Sequence, residues 1–361
     1  MSGANEKQPV RLLQPGWLRD RLEAKIATAH HSGVLQPLPA GVYFLEEQGI
    51  RFVVRILSVL SHKLEAGTQQ DLLRRAGADI PDPFLPPEPG LFLAQVSDTH
   101  LVLLNKYNVL ERHLLVVTRE FEEQESLLTF RDFCALWTCL AEMDGLAFYN
   151  AGKRAGASQR HKHLQLVSLP LAPEGFAIPI QPALDSAECR NGICTTPLLP
   201  FAHGLVRHEA PLRQGPEEAA RQTQKAYQLL LVAMGLVPEP VTIPPVPQPD
   251  KPLSHAENRE VSSGPGRAAA PEPGRASLLL PNLKACNPGA YNLLVTRNWV
   301  LLVPRSQESF ETISINSLGF AGALLVRTPE ELERLRKRGP FAALQAVGMP
   351  AARSPAQCVP K

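Results

Sequence analysis

Residues 161–166, His-Lys-His-Leu-Gln-Leu, alternate polar and apolar side chains in an order that few folds can accommodate. In an extended strand, successive side chains point to opposite faces of the sheet. One face of this strand therefore carries His161, His163 and Gln165. The other face carries Lys162, Leu164 and Leu166. The leucines anchor the strand in a core, while the opposite face displays three hydrogen-bonding groups on a rigid support, spaced about 6.6 Å apart.

The loop directly before this strand has the composition of an anion-binding loop. Residues 152–159 read Gly-Lys-Arg-Ala-Gly-Ala-Ser-Gln. In a flexible glycine-containing loop the backbone N–H groups, together with a hydroxyl and a side-chain amide, can surround and bind a phosphate. A phosphate-binding loop that leads into a histidine-rich strand is expected of a group-transfer enzyme that uses histidine as its nucleophile.

The composition excludes several other classes of protein. A net charge of +2 over 361 residues favours neither nucleic acid nor a membrane surface as a partner. The chain has no run of about 18 apolar residues, which a membrane-spanning helix would need. Its polar first residues lack the apolar core of an export signal, so we expect a cytoplasmic protein. For the same reason we do not expect the six cysteines to form a disulfide framework.

Hydrophobic spacing predicts a mixed succession of helices and strands. Helices are predicted at 17–29, 129–143, 217–234 and 328–338, with a glycine-interrupted helix at 315–326. Strands are predicted at 42–45 and 50–60, as an antiparallel meander at 91–96, 100–106 and 113–118, and as a hairpin of 291–296 with 300–304. Residues 238–275 are rich in proline, glycine and charge, which is typical of a disordered insertion. We therefore interpret 1–237 and 276–361 as two parts of one domain.

Several short motifs resemble one known family. The pattern His161-x-His163-x-Gln165, preceded by Tyr149-Asn150 and by residues 156–159, resembles the nucleotidyltransferase branch of the histidine-triad superfamily. Within that branch it is similar to ATP adenylyltransferases, also called diadenosine tetraphosphate phosphorylases. Residues 98–118, 291–296 and 303–306 extend the resemblance to about 17–335, outside the insertion. It implies an α+β fold, with a histidine-triad-like or hexose-1-phosphate-uridylyltransferase-like antiparallel sheet and flanking helices.

The resemblance also implies a reaction, the reversible splitting of diadenosine tetraphosphate by inorganic phosphate into ADP and ATP. His163 would attack the α-phosphorus and form a covalent nucleotidyl-imidazole, and His161 would support it. Gln165 would hold a phosphate oxygen. Related hydrolases carry a third histidine at that position. An amide cannot titrate, so Gln165 favours transfer to phosphate over transfer to water.

The remaining site residues are implied by the same resemblance. The residues expected to bind substrate are Lys63, Asn105, Lys106, Asn150, Gly156, Ala157, Ser158, Gln159, Asn292, Thr296 and Arg305. No covalently bound cofactor and no protein-bound metal are implied, but Mg²⁺ is expected to accompany the polyphosphate. The expected partners are the nucleotide and inorganic phosphate, without nucleic acid or membrane, and the oligomeric state is left open.

Three alternatives remain at this point. His161 and His163 could bind zinc together with Cys189 and Cys194. The same His-x-His-x-Gln pattern suits a sugar-1-phosphate uridylyltransferase, and a catalytically inactive nucleotide-binding protein would also retain the fold. His113, at the start of a strand, is as compatible with a structural role as with a substrate contact.

Overall fold

A computed structural model describes residues 16–57, 81–208, 211–237 and 289–351. The helices are α1 Trp17–His31, α2 Phe130–Glu142, α3 Gln181–Asp185, α4 Pro216–Ala233, α5 Ser317–Phe320, α6 Pro329–Arg338 and α7 Pro340–Val347. None of these helices combines the length and the apolar character needed to cross a membrane. The predictions for Lys63 and for the insertion at 238–275 lie outside the described residues.

Fifteen strands are present in the described residues. They are β1 Ala40–Glu47, β2 Ile50–Leu57, β3 Phe92–Gln95, β4 His100–Leu104, β5 Leu114–Thr118, β6 Gly145–Asn150, β7 His163–Ser168, β8 Glu188–Arg190, β9 Ile193–Thr195, β10 Gly204–Arg207, β11 Tyr291–Val295, β12 Trp299–Pro304, β13 Ser309–Phe310, β14 Ile313–Ser314 and β15 Ala323–Val326.

Ten of these strands form one large sheet in the order β3-β4-β5-β7-β6-β11-β12-β10-β9-β8. Strands β3, β4 and β5 are the predicted antiparallel meander, and β11 with β12 is the predicted hairpin, so both predictions are confirmed. Strand β11 pairs directly with β6. Strands from both sides of the segment 238–288 are therefore neighbours in a single sheet.

The two faces of this sheet are covered differently. Helices α1, α2 and α4 pack on one face over a continuous core that includes Leu164 and Leu166. On the other face the apolar residues fall into two separate clusters. The smaller cluster is Phe84, Leu101, Leu103, Leu115 and Val117. The polar side of β7 lies at the boundary between these clusters, because its neighbours are β5 on one side and β6 on the other.

The predicted helix at 315–326 is wrong. The segment contains only the short helix α5, followed by β15, which pairs in parallel with β2. Gly322 adopts a φ of 86°, a left-handed conformation that ends the helix. The next four residues, Ala-Leu-Leu-Val, then add a strand to the small sheet β1-β2-β15.

One pair of cysteines is joined in the structure, while Cys134 and Cys139 are free thiols. Cys189 and Cys194 face each other in the β8–β9 hairpin at the edge of the large sheet, and their sulfurs form a disulfide. Both thiols are consumed by this bond. The zinc alternative that combined them with His161 and His163 is therefore wrong, because a disulfide sulfur is not a thiolate ligand.

Candidate active site

Strand β7 is anchored from behind by a buried ion cluster. Lys162 is fully buried, with its Nζ 2.9 Å from Asp132 Oδ2 and 3.0 Å from Glu122 Oε2. Burial opposes ionisation of Asp132, but a hydrogen bond from His100 and the charge of Lys162 together hold the pKa of this carboxyl below its ordinary value. Asp132 also closes a capping box with Thr129 at the start of α2. The start of β7 is thereby tied to helix α2.

His163 has one engaged and one open ring nitrogen. Its Nδ1 lies 2.8 Å from the carbonyl oxygen of His161, so Nδ1–H is the donor and the lone pair is on Nε2. No partner for Nε2 is found among the described residues. Burial lowers the pKa of His163 to about 4. The imidazole is therefore neutral at pH 7 and presents a nucleophilic nitrogen in a fixed direction.

His161 has both ring nitrogens engaged. Nδ1 lies 2.6 Å from Asp82 Oδ2, and Nε2 lies 2.9 Å from Thr118 Oγ1. The aromatic rings of Phe84 and Phe121 pack against the imidazole, with centroids 5.7 and 5.5 Å away. His161 is therefore held on every side, and its carbonyl group supplies the acceptor that orients His163.

Gln165 is oriented by a chain of hydrogen-bonded side chains. Asn105 Nδ2 lies 3.1 Å from His113 Nδ1, and His113 Nε2 lies 2.9 Å from Gln165 Oε1. If the amide of Asn105 donates, His113 accepts at Nδ1 and donates from Nε2, so Gln165 accepts at Oε1. The NH₂ group of Gln165 then remains available as a donor. His113, which the sequence left undecided, thus contacts the third member of the motif.

The loop before β7 turns at two left-handed glycines. Gly152 and Gly156 have φ values of 81° and 86°, and a Cβ on Gly156 would lie 2.8 Å from the carbonyl oxygen of Ile315. The N–H groups of Gly156 and Ala157 bond within the loop. No acceptor among the described residues takes the N–H of Ser158 or Gln159, and the buried Oε1 of Gln159 has no partner there either. The unsatisfied groups of the loop therefore cluster at residues 158–159.

In a second polar cluster, formed by Asn150, Asn292 and Arg305, protein acceptors take every side-chain donor of Asn292 and Arg305. Asn292 Nδ2 bonds Asn150 Oδ1 at 2.8 Å and the Ala155 carbonyl at 2.9 Å. Arg305 Nη1 donates to Asn292 Oδ1 at 2.5 Å. The other acceptors of the Arg305 guanidinium are the carbonyl oxygens of Ala155, Val347, Gln307 and Glu308. Burial lowers the pKa of Arg305 to about 10.

Two further predicted residues lie in other surroundings. Lys106 forms an ion pair with Glu88, with Nζ 3.0 Å from Oε2. Thr296 lies at the turn after β11, at the opposite end of that strand from Asn292, and its hydroxyl accepts from the backbone of Asn298 and Trp299. Substrate contacts by Lys106, Thr296 and Arg305 stay predictions.

Sequence reasoning missed three residues that hydrogen-bond to the two histidines of the motif: Asp82, Thr118 and Gln124. Asp82 is 79 residues from His161 along the chain, and no local pattern connects the two. Thr118 ends a strand that pairs with β7, so correct pairing of the meander would have placed it beside the motif. Gln124 lies in a loop between β5 and α2, where no periodicity marks it.

Two family models match the chain in succession. The model described as the Ap4A phosphorylase N-terminal domain matches residues 8–186, and that of the ATP adenylyltransferase C-terminal domain matches residues 197–350. Together they cover every residue named for the candidate site within the described residues and eight of the ten strands of the large sheet, while β8 and β9 lie between the two matches.

Curated relatives and solved structures agree with these matches. Diadenosine 5',5'''-P1,P4-tetraphosphate phosphorylase 2 of Saccharomyces cerevisiae is 27% identical over 288 residues, which is 73% of this chain and 74% of the relative. The yeast Ap4A phosphorylase Apa2 in complex with AMP superposes with a TM-score of 0.66 at 22% identity, covering 95% of this chain and 100% of that chain. The same enzyme in complex with Ap4A gives 0.65 at 21% identity, covering 93% and 98%. The expected α+β class with a large antiparallel sheet is confirmed.

Proposed function

The chain belongs to the family of Ap4A phosphorylases and ATP adenylyltransferases, and from this premise we propose that it splits diadenosine tetraphosphate (Ap4A) with inorganic phosphate, reversibly, into ADP and ATP. The observation that carries the proposal is the state of His163. It is a buried, neutral imidazole whose Nδ1–H is held by a backbone carbonyl and whose Nε2 has no partner among the described residues.

The first step forms a covalent intermediate. Nε2 of His163 attacks the α-phosphorus of Ap4A, an N–P bond forms, and the P–O bond to the departing ATP breaks. The ring then carries a positive charge, which the carbonyl of His161 stabilises through the Nδ1–H bond at 2.8 Å. In the second step an oxygen of inorganic phosphate attacks the same phosphorus, the N–P bond breaks, and ADP leaves. Two displacements replace one difficult displacement.

The neighbouring side chains have supporting roles in this proposal. Asp82 and Thr118 fix His161, which in turn fixes the nucleophile through its carbonyl. The NH₂ group of Gln165 donates to an oxygen of the transferred phosphoryl group, oriented by the bond between its Oε1 and His113. Because this amide cannot act as a general base, it gives no help to an attacking water molecule.

The polyphosphate would bind at the loop end of β7. The N–H groups of Ser158 and Gln159 and the Ser158 hydroxyl provide donors with no acceptor among the described residues. Mg²⁺ would arrive with the polyphosphate and neutralise part of its charge. A cytoplasmic location is part of the proposal and is tested by fractionation of cells that express the chain.

The decisive assay is incubation of the purified chain with Ap4A, with and without inorganic phosphate. We expect ADP and ATP in equal amounts only when phosphate is present, and an acid-labile nucleotidyl-protein adduct when phosphate is omitted. Absence of phosphate-dependent products would overturn the proposal. Product formation only from a UDP-sugar and a sugar phosphate would instead favour the uridylyltransferase alternative.

A further inference from the structure

The ladder between β6 and β7 stops just before the nucleophile. The last paired residues are Phe148 and Gln165, and continuing the register would bring Asn150 opposite His163. At that position the side chain of Gln124 stands between the two strands instead. Its Oε1 accepts from the N–H of His163 at 2.8 Å. Its Nε2 donates to the carbonyls of His163 and Asn150 at 3.1 and 3.0 Å.

One amide therefore replaces a rung of the sheet. Both backbone groups of His163 face the β6 side, where a direct partner is lacking. Left unpaired in a buried position, each would keep an uncompensated desolvation cost. Gln124 is only 3% exposed, and its side chain supplies the acceptor and the two donors that this gap requires.

The loop that carries Gln124 is itself fixed to β6 and to the residues directly before β7. The N–H of Gln124 bonds the Arg160 carbonyl at 2.6 Å, and its carbonyl accepts from the hydroxyl of Tyr149 in β6. Leu127, three residues after Gln124, accepts a hydrogen bond at its carbonyl from Lys162 Nζ at 3.1 Å. The amide of Gln124 is consequently preorganised before substrate binds, as a group that sets the geometry of a reactive atom should be.

We propose that Gln124 is a positioning residue for nucleotidyl transfer: its side-chain amide bridges the separated ends of β6 and β7 and fixes the direction in which His163 Nε2 points. This inference rests on the proposed function. Gln124 acts through the backbone of His163. The position of the backbone sets where the Cα lies, and the Cα position in turn sets the direction of the imidazole. A misplacement of about 1 Å in a nucleophile is enough to lower a rate by about 100-fold.

The test uses the full chain with the substitutions Gln124→Glu and Gln124→Met, assayed for Ap4A phosphorolysis. Glu keeps the shape and the acceptor for His163 N–H, but at neutral pH it places a carboxylate against two carbonyl oxygens. We expect kcat to fall by about 100-fold and KM for Ap4A to change by less than about threefold. Facing carbonyls raise the pKa of the introduced carboxyl, so lowering the pH from 8 to 6 protonates it and restores one donor. The deficit of Gln124→Glu should therefore shrink towards pH 6, whereas that of Gln124→Met should stay constant.

Gln181→Met is the matched control. Gln181 also bridges two groups, since it accepts from Trp299 Nε1 at 3.1 Å and donates to Asp185 Oδ1 at 2.7 Å, but it contacts the opposite end of β12 from the site. This variant should keep the wild-type kcat, whatever happens to its melting temperature.

The outcomes separate this inference from the proposed function. A wild-type chain without phosphate-dependent activity overturns the proposed function. An active wild type with unchanged kcat in both Gln124 variants overturns the positioning role alone. A parallel pH dependence of the Glu and Met variants, or a loss of kcat no larger than the loss of folded protein measured by circular dichroism, also overturns it.

Discussion

Two buried histidines, His163 and His203, share the same local arrangement and differ at one atom. In each, Nδ1 lies within hydrogen-bonding distance of the carbonyl oxygen two residues earlier, at 2.8 Å for His163 and 2.9 Å for His203. Burial lowers the pKa of both imidazoles. His203 Nε2, however, accepts the N–H of Thr196 at 3.0 Å, whereas His163 Nε2 has no partner among the described residues. The backbone fixes the tautomer in both cases, and the second nitrogen decides between structure and reactivity.

The same distinction separates larger groups of residues. Arg305 donates to five acceptors within the protein, including Asn292 Oδ1. Residues 158–159 have backbone donors that no acceptor in the described part of the chain takes. A polar residue in this fold therefore becomes a candidate for chemistry when its hydrogen-bonding capacity remains partly unused.

The largest expected effect comes from removing the open nitrogen. His163→Ala should lower kcat for Ap4A phosphorolysis by about 10⁴-fold or more, because the covalent route is lost. His203→Ala should retain kcat but lose about 1–3 kcal/mol of stability, because the N–H of Thr196 is left buried and unpaired. Steady-state kinetics and chemical denaturation of both variants measure the contrast. Equal losses of kcat in the two variants would show that the open Nε2 is not what distinguishes them.

The next largest effect concerns the stability that the buried ion pair of Lys162 and Asp132, beside the start of β7, gives to the fold. Lys162→Met should destabilise the fold by about 3–5 kcal/mol, because it leaves the buried carboxylate of Asp132 without its cation. The double substitution Lys162→Met with Asp132→Asn should recover part of this loss, since the uncompensated charge is removed as well. Urea denaturation checks both values. An unchanged free energy of unfolding in Lys162→Met would mean that the buried cation does not stabilise the strand.

Only part of this site was accessible from the sequence. The polar face of β7 could be predicted because alternation is a local property of six consecutive residues. The partner of His161, Asp82, arrives from a distant loop, and Gln124 fills a gap that exists only because β6 and β7 separate. The helix predicted at 315–326 is wrong for a local reason. Gly322 ends the helix because it adopts a left-handed backbone conformation, and the presence of a glycine in the sequence does not reveal that conformation. The internal hydrogen bonds of the Arg305 guanidinium could not be predicted either, because residue type does not reveal burial.

A smaller effect is expected from loosening His161 without touching the nucleophile. Asp82→Asn keeps the shape of the side chain but removes the charge beside Nδ1, 2.6 Å away. We expect kcat to fall by about 10–100-fold with little change in KM, because orientation is weakened rather than abolished. Thr118→Val removes the partner of Nε2 and should give a loss of the same order. A wild-type kcat in both variants would show that the fixed position of His161 has no bearing on the reaction.

The smallest effect concerns the pH dependence of stability, and it tests the lowered pKa that His163 and His203 have in common. The pKa of His163 is lowered by burial to about 4, against about 6.5 in an unfolded chain, so the unfolded state binds more protons between these values. The stability linked to its neutral form is present above pH 6.5 and is lost as the pH falls towards 4. His163→Ala and His203→Ala should each reduce the slope of stability against pH in this window, since the pKa of His203 is lowered too. Denaturation from pH 7 to pH 4.5 measures the slopes, and an NMR titration of the imidazole nitrogens should find His163 still neutral at pH 5. Protonation of His163 near pH 6.5 would contradict this prediction, because the pKa of the imidazole would then be that of an unfolded chain.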